Sequence, residues 1–452
     1  MEKIRDREKI TTAFITVGFA ALILLGAFLL VLPISSADRS FTPFCDALFT
    51  AASSTCVTGL TVVDTATHWS LFGQIVILTL IQIGGLGFMS LAVMMSMLVK
   101  RRITPKERML VMQSYNMNTY EKPLEFVKRI AVWTFGVEIL GAIALSFRFI
   151  PDFGVADGIY KSVFHSVSAF CNAGFDIIGV GNPNITSMSY YSKDLLVNIT
   201  LMFLIATGGI GFVVINDIAK SIINKKRLAV YTKMVLIITA LLILVGAIGY
   251  LLLEWNNPKT IGERSFGEKL IASFFQSITL RTAGFAMIDN VYTTSGSQLL
   301  ALLLMFIGGA SGSTAGGVKV VTVGVLIYTV YCVAIGRKSI SLFGRRISSD
   351  NFMRAVSIVV IQFILVVAST FAISALMNTD IMTAAFEAVS ASGTVGLSLG
   401  FTPTLNLLSK FIIIFLMYFG RVGILSITYT LTLNIRDKKS IITYPDANLL
   451  IG

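Results

Sequence analysis

Long stretches without a charged residue recur along this chain, and short segments rich in lysine and arginine lie between them. The uncharged stretches include residues 11–36, 71–99, 195–216, 234–253 and 355–379. Each of them reaches or exceeds the ~20 apolar residues that a helix needs to cross the hydrocarbon core of a bilayer. The pattern predicts an all-α polytopic membrane protein.

The composition and the distribution of charge agree with this class. Of 452 residues, 55% are hydrophobic and 13% are charged, and the mean hydropathy is +0.81, whereas a soluble protein carries about 25% charged residues. The net charge of +12 is concentrated in clusters beside the predicted spans, at residues 3–9, 100–108, 220–233, 337–354 and 436–439. Under the positive-inside rule these clusters mark cytoplasmic loops, with both termini cytoplasmic, and not a surface for nucleic acid. The basic loops 100–108 and 337–346 are candidate contacts for membrane lipid or for a partner.

One sequence block occurs four times. The copies read FTAASSTCVTGL (49–60), FHSVSAFCNAGF (164–175), FFQSITLRTAGF (274–285) and FEAVSASGTVGL (386–397). Their glycines Gly59, Gly174, Gly284 and Gly396 are separated by 115, 110 and 112 residues. A nearly constant period indicates an internal repeat, and it divides the chain into repeats 1–100, 101–225, 226–340 and 341–452, the last with a short cytoplasmic tail.

Each repeat has the order span, short segment, glycine block, span. The first spans are predicted at 11–36, 130–147, 234–253 and 355–379, and the second spans at 71–99, 195–216, 298–336 and 411–435. The short segments, at about 42–54, 157–169, 266–279 and 380–391 with candidate caps Ser40, Asp157, Ser265 and Thr379, are too brief to cross the membrane. We therefore expect eight transmembrane helices and four re-entrant pore helices in four pseudo-symmetric units.

Four re-entrant loops around one axis predict an ion filter. Non-helical backbone at membrane depth persists only where it is buried in protein or lines water, and rings of backbone carbonyls can replace the hydration shell of potassium. The predicted filter residues are Thr58, Gly59, Ala173, Gly174, Ala283, Gly284, Val395 and Gly396. Since only the glycine is common to all four blocks, we expect one well-formed carbonyl ring and less stringent selectivity over sodium than four identical TVGYG loops provide.

The second spans carry a glycine-rich mark: GGLG at 84–87, GGIG at 208–211, GGAS at 308–311 and GRVG at 420–423. Helix packing explains the first two marks as well as a functional role does. In the third repeat the weak helix formers continue, which predicts an intramembrane gating loop of Gly308, Gly309, Ala310, Ser311, Gly312, Ser313, Thr314, Ala315, Gly316 and Gly317. A structural kink is the alternative.

Arg421 occupies the second position of the fourth mark, where the other marks have glycine. An arginine inside the membrane is expensive and faces a cavity or a partner. We expect it below the filter, hydrogen-bonded to carbonyls of the loop, with a structural carboxylate partner as the alternative. Lys319 is either a second gating contact or a charge that reaches toward water. Asp64, Asp176 and Asp289 could form an outer acidic ring or could serve ordinary loops.

These features together resemble the Trk/Ktr/HKT superfamily, most closely the bacterial KtrB type. The resemblance covers essentially the whole chain, and it implies potassium uptake at the bacterial cytoplasmic membrane, a homodimer with one pore per subunit, and a cytosolic nucleotide-binding ring as regulator. In this family the third-repeat loop acts as a gate, and the position that matches Arg421 also carries an arginine. Gly59 matches the potassium-selective type. The chain has no phosphate-binding motif in a strand–helix setting, so any nucleotide would act through the partner subunit.

Other functions stay open on the sequence alone. The nearest alternative is a sodium-coupled potassium symporter or a sodium-permeable transporter of the same superfamily. Alternating access generally uses inverted repeats, whereas these four units share one orientation, which favours a channel-like path. An intramembrane enzyme would need paired carboxylates, a metal cluster or an activated nucleophile within the spans, and the uncharged stretches contain no such set. We therefore expect no enzymatic activity.

Overall fold

The computed structural model describes residues 2–87, 93–94, 123–182, 185, 187–337 and 340–423. Within these ranges nearly all regular structure is helical. The exception is a small antiparallel hairpin of β1 (Ser341–Leu342) and β2 (Arg345–Arg346). The all-helical class predicted from the hydrophobic pattern is confirmed for this part of the chain.

A long helix, a short helix and a further apolar helix follow one another in this order four times. Residues 2–87 contain α1 (Glu2–Val31), α2 (Phe44–Thr55), α3 (Thr65–His68) and α4 (Leu71–Leu86). Residues 123–224 contain α5 (Pro123–Phe153), α6 (Val155–Phe170), α7 (Leu195–Ile210) and α8 (Phe212–Asn224). Residues 230–334 contain α9 (Val230–Glu254), α10 (Phe266–Thr279), α11 (Ser295–Phe306) and α12 (Val320–Ala334). Residues 349–422 contain α13 (Ser349–Met377), α14 (Ile381–Gly393) and α15 (Leu407–Val422). Short 3-10 helices lie at Pro33–Ser35, Met188–Lys193, Asn290–Tyr292 and Thr402–Thr404.

Three described helices are long and apolar enough to cross a membrane: Glu125–Phe153 in α5, Val230–Glu254 and Ser349–Met377. The pair α7–α8 also passes the test as one span, although its two parts meet at a bend of 93°. Shorter apolar helices occur at Ile15–Val31, Leu71–Leu86, Ser295–Phe306 and Val320–Ala334. These lengths fit the membrane-protein class.

The four short helices α2, α6, α10 and α14 form the centre of the molecule. Each packs against the long helix that precedes it, namely α1, α5, α9 and α13. Phe49, Phe164, Phe275 and Phe386 on the short helices are at most 1% exposed. The long helices turn apolar side chains such as Val132, Leu241 and Phe363 outward. A protein that exposes apolar residues at its periphery and buries its shorter, more polar helices is suited to a lipid environment.

The second spans are broken, which corrects the expectation of a continuous span at 195–216. Gly211 has φ 96° and separates α7 from α8, and residues 307–319 separate α11 from α12. In the same way α4 ends before Gly87 (φ 79°), and α15 ends before Gly423 (φ 91°). The last glycine of each of these three marks takes a backbone angle that an α-helix cannot continue. The remainders of the predicted spans 71–99 and 411–435 lie almost entirely outside the described residues.

Of the four predicted helix caps, only Ser265 is correct. Its hydroxyl and the Glu268 carboxylate form a capping box at the start of α10. The predicted caps Ser40, Asp157 and Thr379 are wrong, because α2, α6 and α14 begin after Pro43, Gly154 and Asp380. The backbone N–H of Thr383 donates to the Asp380 carboxylate (2.9 Å), and this bond lowers the pKa of Asp380. The ring of Pro43 fixes its φ at −52°, and Gly154 has φ 86°, an angle that other residues rarely adopt. Neither residue offers the side-chain acceptor on which the predicted caps were based.

Candidate functional site

The short helices end in an unusual backbone turn that leads into each predicted filter segment. In repeat 1 the Val57 N–H donates to the Ser54 carbonyl (3.1 Å), and the Thr58 N–H donates to the Ser53 carbonyl (2.8 Å). This is a Schellman motif, in which glycine usually takes the left-handed position. Here the position is held by Val57 (φ 57°), and its equivalents in the other blocks are Asn172 (φ 61°), Thr282 (φ 69°) and Thr394 (φ 52°).

Two residues later, each block places its glycine at positive φ again. The values are 94° at Gly59, 69° at Gly174, 79° at Gly284 and 92° at Gly396. The residue between the two left-handed positions does not have a positive φ in any block. Since a regular strand points successive carbonyls to opposite sides, this alternation turns neighbouring carbonyl oxygens toward one side. That is the requirement for a carbonyl-lined path.

The four blocks meet in a closed cycle. A Cβ atom added to Gly59 would lie 2.2 Å from the carbonyl oxygen of Ala173, and one added to Gly174 would lie 2.6 Å from that of Ala283. A Cβ on Gly284 would lie 2.4 Å from the Val395 oxygen, and a Cβ on Gly396 would lie 2.1 Å from the Thr58 oxygen. The eight predicted filter residues are therefore brought together around one centre. A side chain at any of the four glycines would require the facing carbonyl to move.

Hydroxyl groups on the short helices support the backbone behind this ring. The N–H of Gly59 donates to the Ser53 hydroxyl (3.0 Å), and the N–H of Gly396 donates to the Ser390 hydroxyl (3.1 Å). In the other two repeats the hydroxyls of Ser168 and Thr279 donate to the carbonyls of Phe175 (3.1 Å) and Phe285 (2.8 Å). None of these residues was among the predicted site residues, although three of the four blocks have serine at the fifth position.

The first glycine of three marks touches the end of a short helix. A Cβ on Gly84 would lie 2.0 Å from the Thr55 carbonyl oxygen, and the corresponding distances are 1.9 Å from Gly208 to Phe170 and 2.1 Å from Gly420 to Ser392. Thr55 and Phe170 are the last residues of α2 and α6, and Ser392 is the last but one of α14. These glycines are thus required for close packing. For the marks of repeats 1 and 2, packing was one of the two explanations that the sequence left open.

Residues 308–317, predicted as a gating loop, contain no helical residue. The loop is closed at its base by a bridge between Ile307 and Val318, and the Gly308 N–H donates to the Val318 carbonyl (2.9 Å). Its far side packs on the filter segment of the fourth block, since a Cβ on Gly316 would lie 2.1 Å from the Thr394 hydroxyl oxygen. The loop therefore lies directly against one of the four converging segments.

The break in the second span of repeat 2 receives this loop. The N–H groups of Ala310 and Thr314 donate to the carbonyls of Gly209 (3.0 Å) and Gly208 (3.3 Å), and the Phe212 N–H donates to the Gly312 carbonyl (3.0 Å). These bonds use backbone groups that the helix break frees. Exposed backbone groups within a bilayer must find such partners, because no water is available there.

Two cationic side chains hold adjacent carbonyls of the loop. Arg421 donates to the carbonyls of Thr314 and Gly84 and, at 3.2 Å, to that of Gly85. The Lys319 ammonium donates to the Ala315 carbonyl at 2.7 Å. The contact expected between Arg421 and the loop is present. Lys319 also contacts the loop, which was one of the two interpretations of this residue. Charge-assisted hydrogen bonds of this kind are about twice as strong as neutral ones.

The three acidic residues after the blocks bind nearby backbone. The Asp64 carboxylate accepts from the Thr67 N–H (2.8 Å), and that of Asp289 accepts from the Val291 N–H (3.0 Å). The Asp176 carboxylate accepts from the backbone N–H groups of Ile178 (2.8 Å) and Met188 (2.7 Å). These bonds favour the ordinary loop reading over an acidic ring.

With this geometry in place, comparison with known proteins identifies the group to which the chain belongs. The family model for TrkH, described as a cation transport protein, matches residues 2–440. The chain is a member of the TrkH family. This confirms the family resemblance that the repeats indicated.

Several relatives match this TrkH-family chain over nearly their full length. It is 40% identical to the Ktr system potassium uptake protein B of Bacillus subtilis, covering 97% of this chain and 96% of the relative. It is 38% identical to the potassium/sodium uptake protein NtpJ of Enterococcus hirae, covering 100% and 99%. The Ktr system potassium uptake protein B of Vibrio alginolyticus is 35% identical, covering 97% of this chain and 94% of the relative. The crystal structure of the potassium transporter TrkH from Vibrio parahaemolyticus shares the fold, with a TM-score of 0.71, 18% identity, and coverage of 94% of this chain and 84% of that one.

Proposed function

We propose that this TrkH-family protein takes up potassium across the bacterial cytoplasmic membrane through a central carbonyl-lined filter. The single observation that supports this most directly is the closed cycle of Gly59, Gly174, Gly284 and Gly396, each against the carbonyl of the next block. The relatives named as potassium uptake proteins point to the same ion. Potassium is the transported ion and is held by backbone oxygens, with no catalytic step.

Four repeats, with the boundaries 1–100, 101–225, 226–340 and 341–452, build the pathway. In each repeat a first span, a re-entrant pore helix and a broken second span follow in order, which makes eight transmembrane helices with both termini cytoplasmic. The pore helices are α2, α6, α10 and α14. Each of them leads within a few residues into the filter, so its negative dipole end lies close to the passing cation.

The filter selects by replacing water with fixed oxygens. The carbonyls of Thr58, Ala173, Ala283 and Val395 form one ring next to the glycines, and the hydroxyls behind them hold the ring at one size. Potassium loses its hydration shell at lower cost than sodium, so a ring held at a size suited to potassium discriminates between the two ions. The membrane potential drives uptake with about 2.3 kcal/mol per charge per 100 mV.

The loop 308–317 gates the path on the cytoplasmic side of the filter. Arg421 and Lys319 bind its carbonyls at Thr314 and Ala315, and their positive charges raise the barrier for a cation in the closed state. Opening requires these bonds to break or to be exchanged for others. Glycine and serine in the loop lower the cost of that movement.

The working assembly in this proposal is a homodimer in the lipid membrane with a cytosolic nucleotide-binding ring of the Ktr type. The nucleotide acts only through that partner subunit. The names of the relatives, which describe components of a Ktr system, support a multi-subunit arrangement. Measuring the mass of the detergent-solubilised protein tests the dimer, and the expected mass is twice that of one subunit.

Ion flux into liposomes tests the function, with Gly396→Ser compared to Gly400→Ser. Both glycines have positive φ, 92° and 78°, but only Gly396 has a carbonyl oxygen, that of Thr58, at 2.1 Å from an added Cβ; at Gly400 the nearest atom is 3.5 Å away. We expect wild type and Gly400→Ser to prefer potassium, and Gly396→Ser to lose that preference. Equal flux of both ions in the wild type would contradict the proposal. A reversal potential that follows external sodium would instead support the symporter.

A further inference from the structure

A second intramembrane arginine, Arg281, contacts the gating loop at a different place from Arg421 and Lys319. It stands three residues before the filter glycine Gly284, where the other blocks have Cys56, Cys171 and Gly393. Its side chain is only 7% exposed. A buried guanidinium in a membrane protein is energetically expensive and needs hydrogen-bond partners. The carbonyl ring of the filter does not explain why an arginine occupies this position.

The guanidinium bridges two separate elements. One terminal nitrogen, Nη1, donates to the carbonyl of Thr239 in α9 at 3.2 Å. The other, Nη2, donates to the carbonyl of Gly308, the first residue of the gating loop, at 3.1 Å. Because the guanidinium is planar and its donors point in fixed directions, it sets the position of Gly308 relative to α9.

Gly308 is the base of the loop. Its N–H is bonded to the Val318 carbonyl, and a Cβ at this position would lie 2.0 Å from the Gly316 carbonyl oxygen. A shift of Gly308 therefore moves both strands of the loop at once. Arg281 is the only described side chain that hydrogen-bonds the Gly308 carbonyl in this structure.

We propose that Arg281 is a positioning residue that latches the base of the gating loop in its blocking position. This rests on the proposed function of the loop. Arg421 and Lys319 hold the loop at Thr314 and Ala315, and Arg281 holds it at its first residue, Gly308. Three cations therefore restrain the loop at two separate places. The latch depends on the fork of the guanidinium, which reaches two carbonyls, and not on the positive charge alone.

Two variants separate the fork from the charge. Arg281→Met removes both, whereas Arg281→Lys keeps the charge on a side chain that lacks the planar fork. We expect both variants to raise the resting potassium flux of reconstituted protein, without a regulatory subunit, on the order of tenfold. The ratio of potassium to sodium flux should stay at the wild-type value. Arg148→Met is the matched control, since Arg148 pairs with Asp194 at 2.9 Å and is 40% exposed.

A labelling measurement follows the loop itself. Ser313→Cys is introduced in a Cys45→Ser background, because the other three native cysteines are buried, and its reaction rate with a membrane-impermeant thiol reagent is measured from the cytoplasmic side. A released loop exposes residue 313 more often, so Arg281→Lys should raise the rate as well as the flux.

Each outcome supports or contradicts the proposed role of Arg281. If Arg281→Lys keeps wild-type flux and labelling while Arg281→Met leaks, the charge acts alone and the latch is wrong. If discrimination against sodium falls in both variants, Arg281 supports the filter and not the loop. If neither the wild type nor the two Arg281 variants carry potassium flux, the proposed function fails, whereas the labelling rate still reports on the latch. Should Arg281→Met not fold, Arg281→Lys alone supports or overturns the proposal by the same two measurements.

Discussion

Val57, Thr282 and Thr394 hold left-handed backbone although their side chains are branched at Cβ. Such residues are strained there, by about 1–3 kcal/mol each. The surrounding bonds maintain the strain, for instance those from the N–H groups of Thr58 and Val395 to the carbonyls of Ser53 and Ser390. Strained backbone held by many bonds suits a filter, because it resists the small adjustments that would fit a smaller ion.

The hydroxyl behind the ring is the first place to test this rigidity. Ser390→Ala leaves the part-buried Gly396 N–H without the acceptor that it has at 3.1 Å, and an unsatisfied donor costs up to about 1–3 kcal/mol. We expect the melting temperature in detergent to fall and the ratio of potassium to sodium flux to decrease. Ser357→Ala is the control, since the Ser357 hydroxyl bonds only the Met353 carbonyl on an exposed face of α13. An unchanged flux ratio in Ser390→Ala would show that this hydroxyl does not support selectivity.

Close packing at the glycine marks makes a second prediction about single residues. Gly84→Ala would place a Cβ 2.0 Å from the Thr55 carbonyl oxygen, whereas Gly136→Ala meets no atom within 4 Å. Gly136 lies within the helix α5. We expect Gly136→Ala to be neutral or to stabilise by up to ~1 kcal/mol, and Gly84→Ala to destabilise by about 1–3 kcal/mol or more. Thermal unfolding in detergent measures both, and equal melting temperatures would mean that α4 can move away from α2 without cost.

Among the elements, the broken second span of repeat 3 differs most from a regular helix. Its loop uses the backbone groups freed by the break at Gly211 in repeat 2, so the two breaks complete each other. The glycine marks in repeats 1 and 4 also end in a glycine with positive φ. The irregularity is therefore shared by all four second spans, and repeat 3 extends it into a loop.

Arg421→Gln tests the restraint on this loop. The change removes the positive charge and the charge-assisted bonds to the carbonyls of Thr314 and Gly84, each worth about 1.5–3 kcal/mol. We expect the resting potassium flux of the reconstituted protein to rise by roughly tenfold or more. Arg148→Gln provides the control for loss of an arginine away from the loop. A flux at or below the wild-type value, in protein that remains folded, would argue against Arg421 as a restraint on the gate.

At the level of the complete molecule, the four segments must close into one ring, which brings the last repeat against the first. Lys410 at the start of α15 binds Asp46 at the start of α2, with 2.6 Å between Nζ and Oδ1. The two side chains are 16% and 19% exposed, so solvent screens this pair less than a surface ion pair. The same two helices also pack against each other.

Charge reversal tests this closure. Lys410→Asp places like charges together, and we expect it to destabilise the protein by about 1–3 kcal/mol. The double variant with Asp46→Lys restores an opposite pair and should recover much of the loss, measured as the melting temperature in detergent. Additive losses in the double variant would show that the two side chains do not interact energetically.

The fourfold period, the membrane class and the position of the loop could all be predicted from the amino-acid order. The helical membrane class and the family are confirmed, whereas the roles of the filter and loop residues stay predictions. These features depend on the order of residues alone: uncharged runs of ~20 residues, a block that recurs every 110–115 residues, and glycines at positions where a helix would otherwise continue. The predicted caps failed because proline and glycine, and not a side-chain acceptor, start α2 and α6.

Only the tertiary structure decided which atoms meet across the repeats. Thr58 and Gly396 are 338 positions apart in the chain, yet the oxygen of one excludes a Cβ on the other. In the sequence Arg281 is one residue of the third block, and its bonds to Thr239 and Gly308 depend on how α9, α10 and the loop pack together. Local patterns report what a segment can form, whereas hydrogen bonds between distant segments depend on packing, which no single segment encodes.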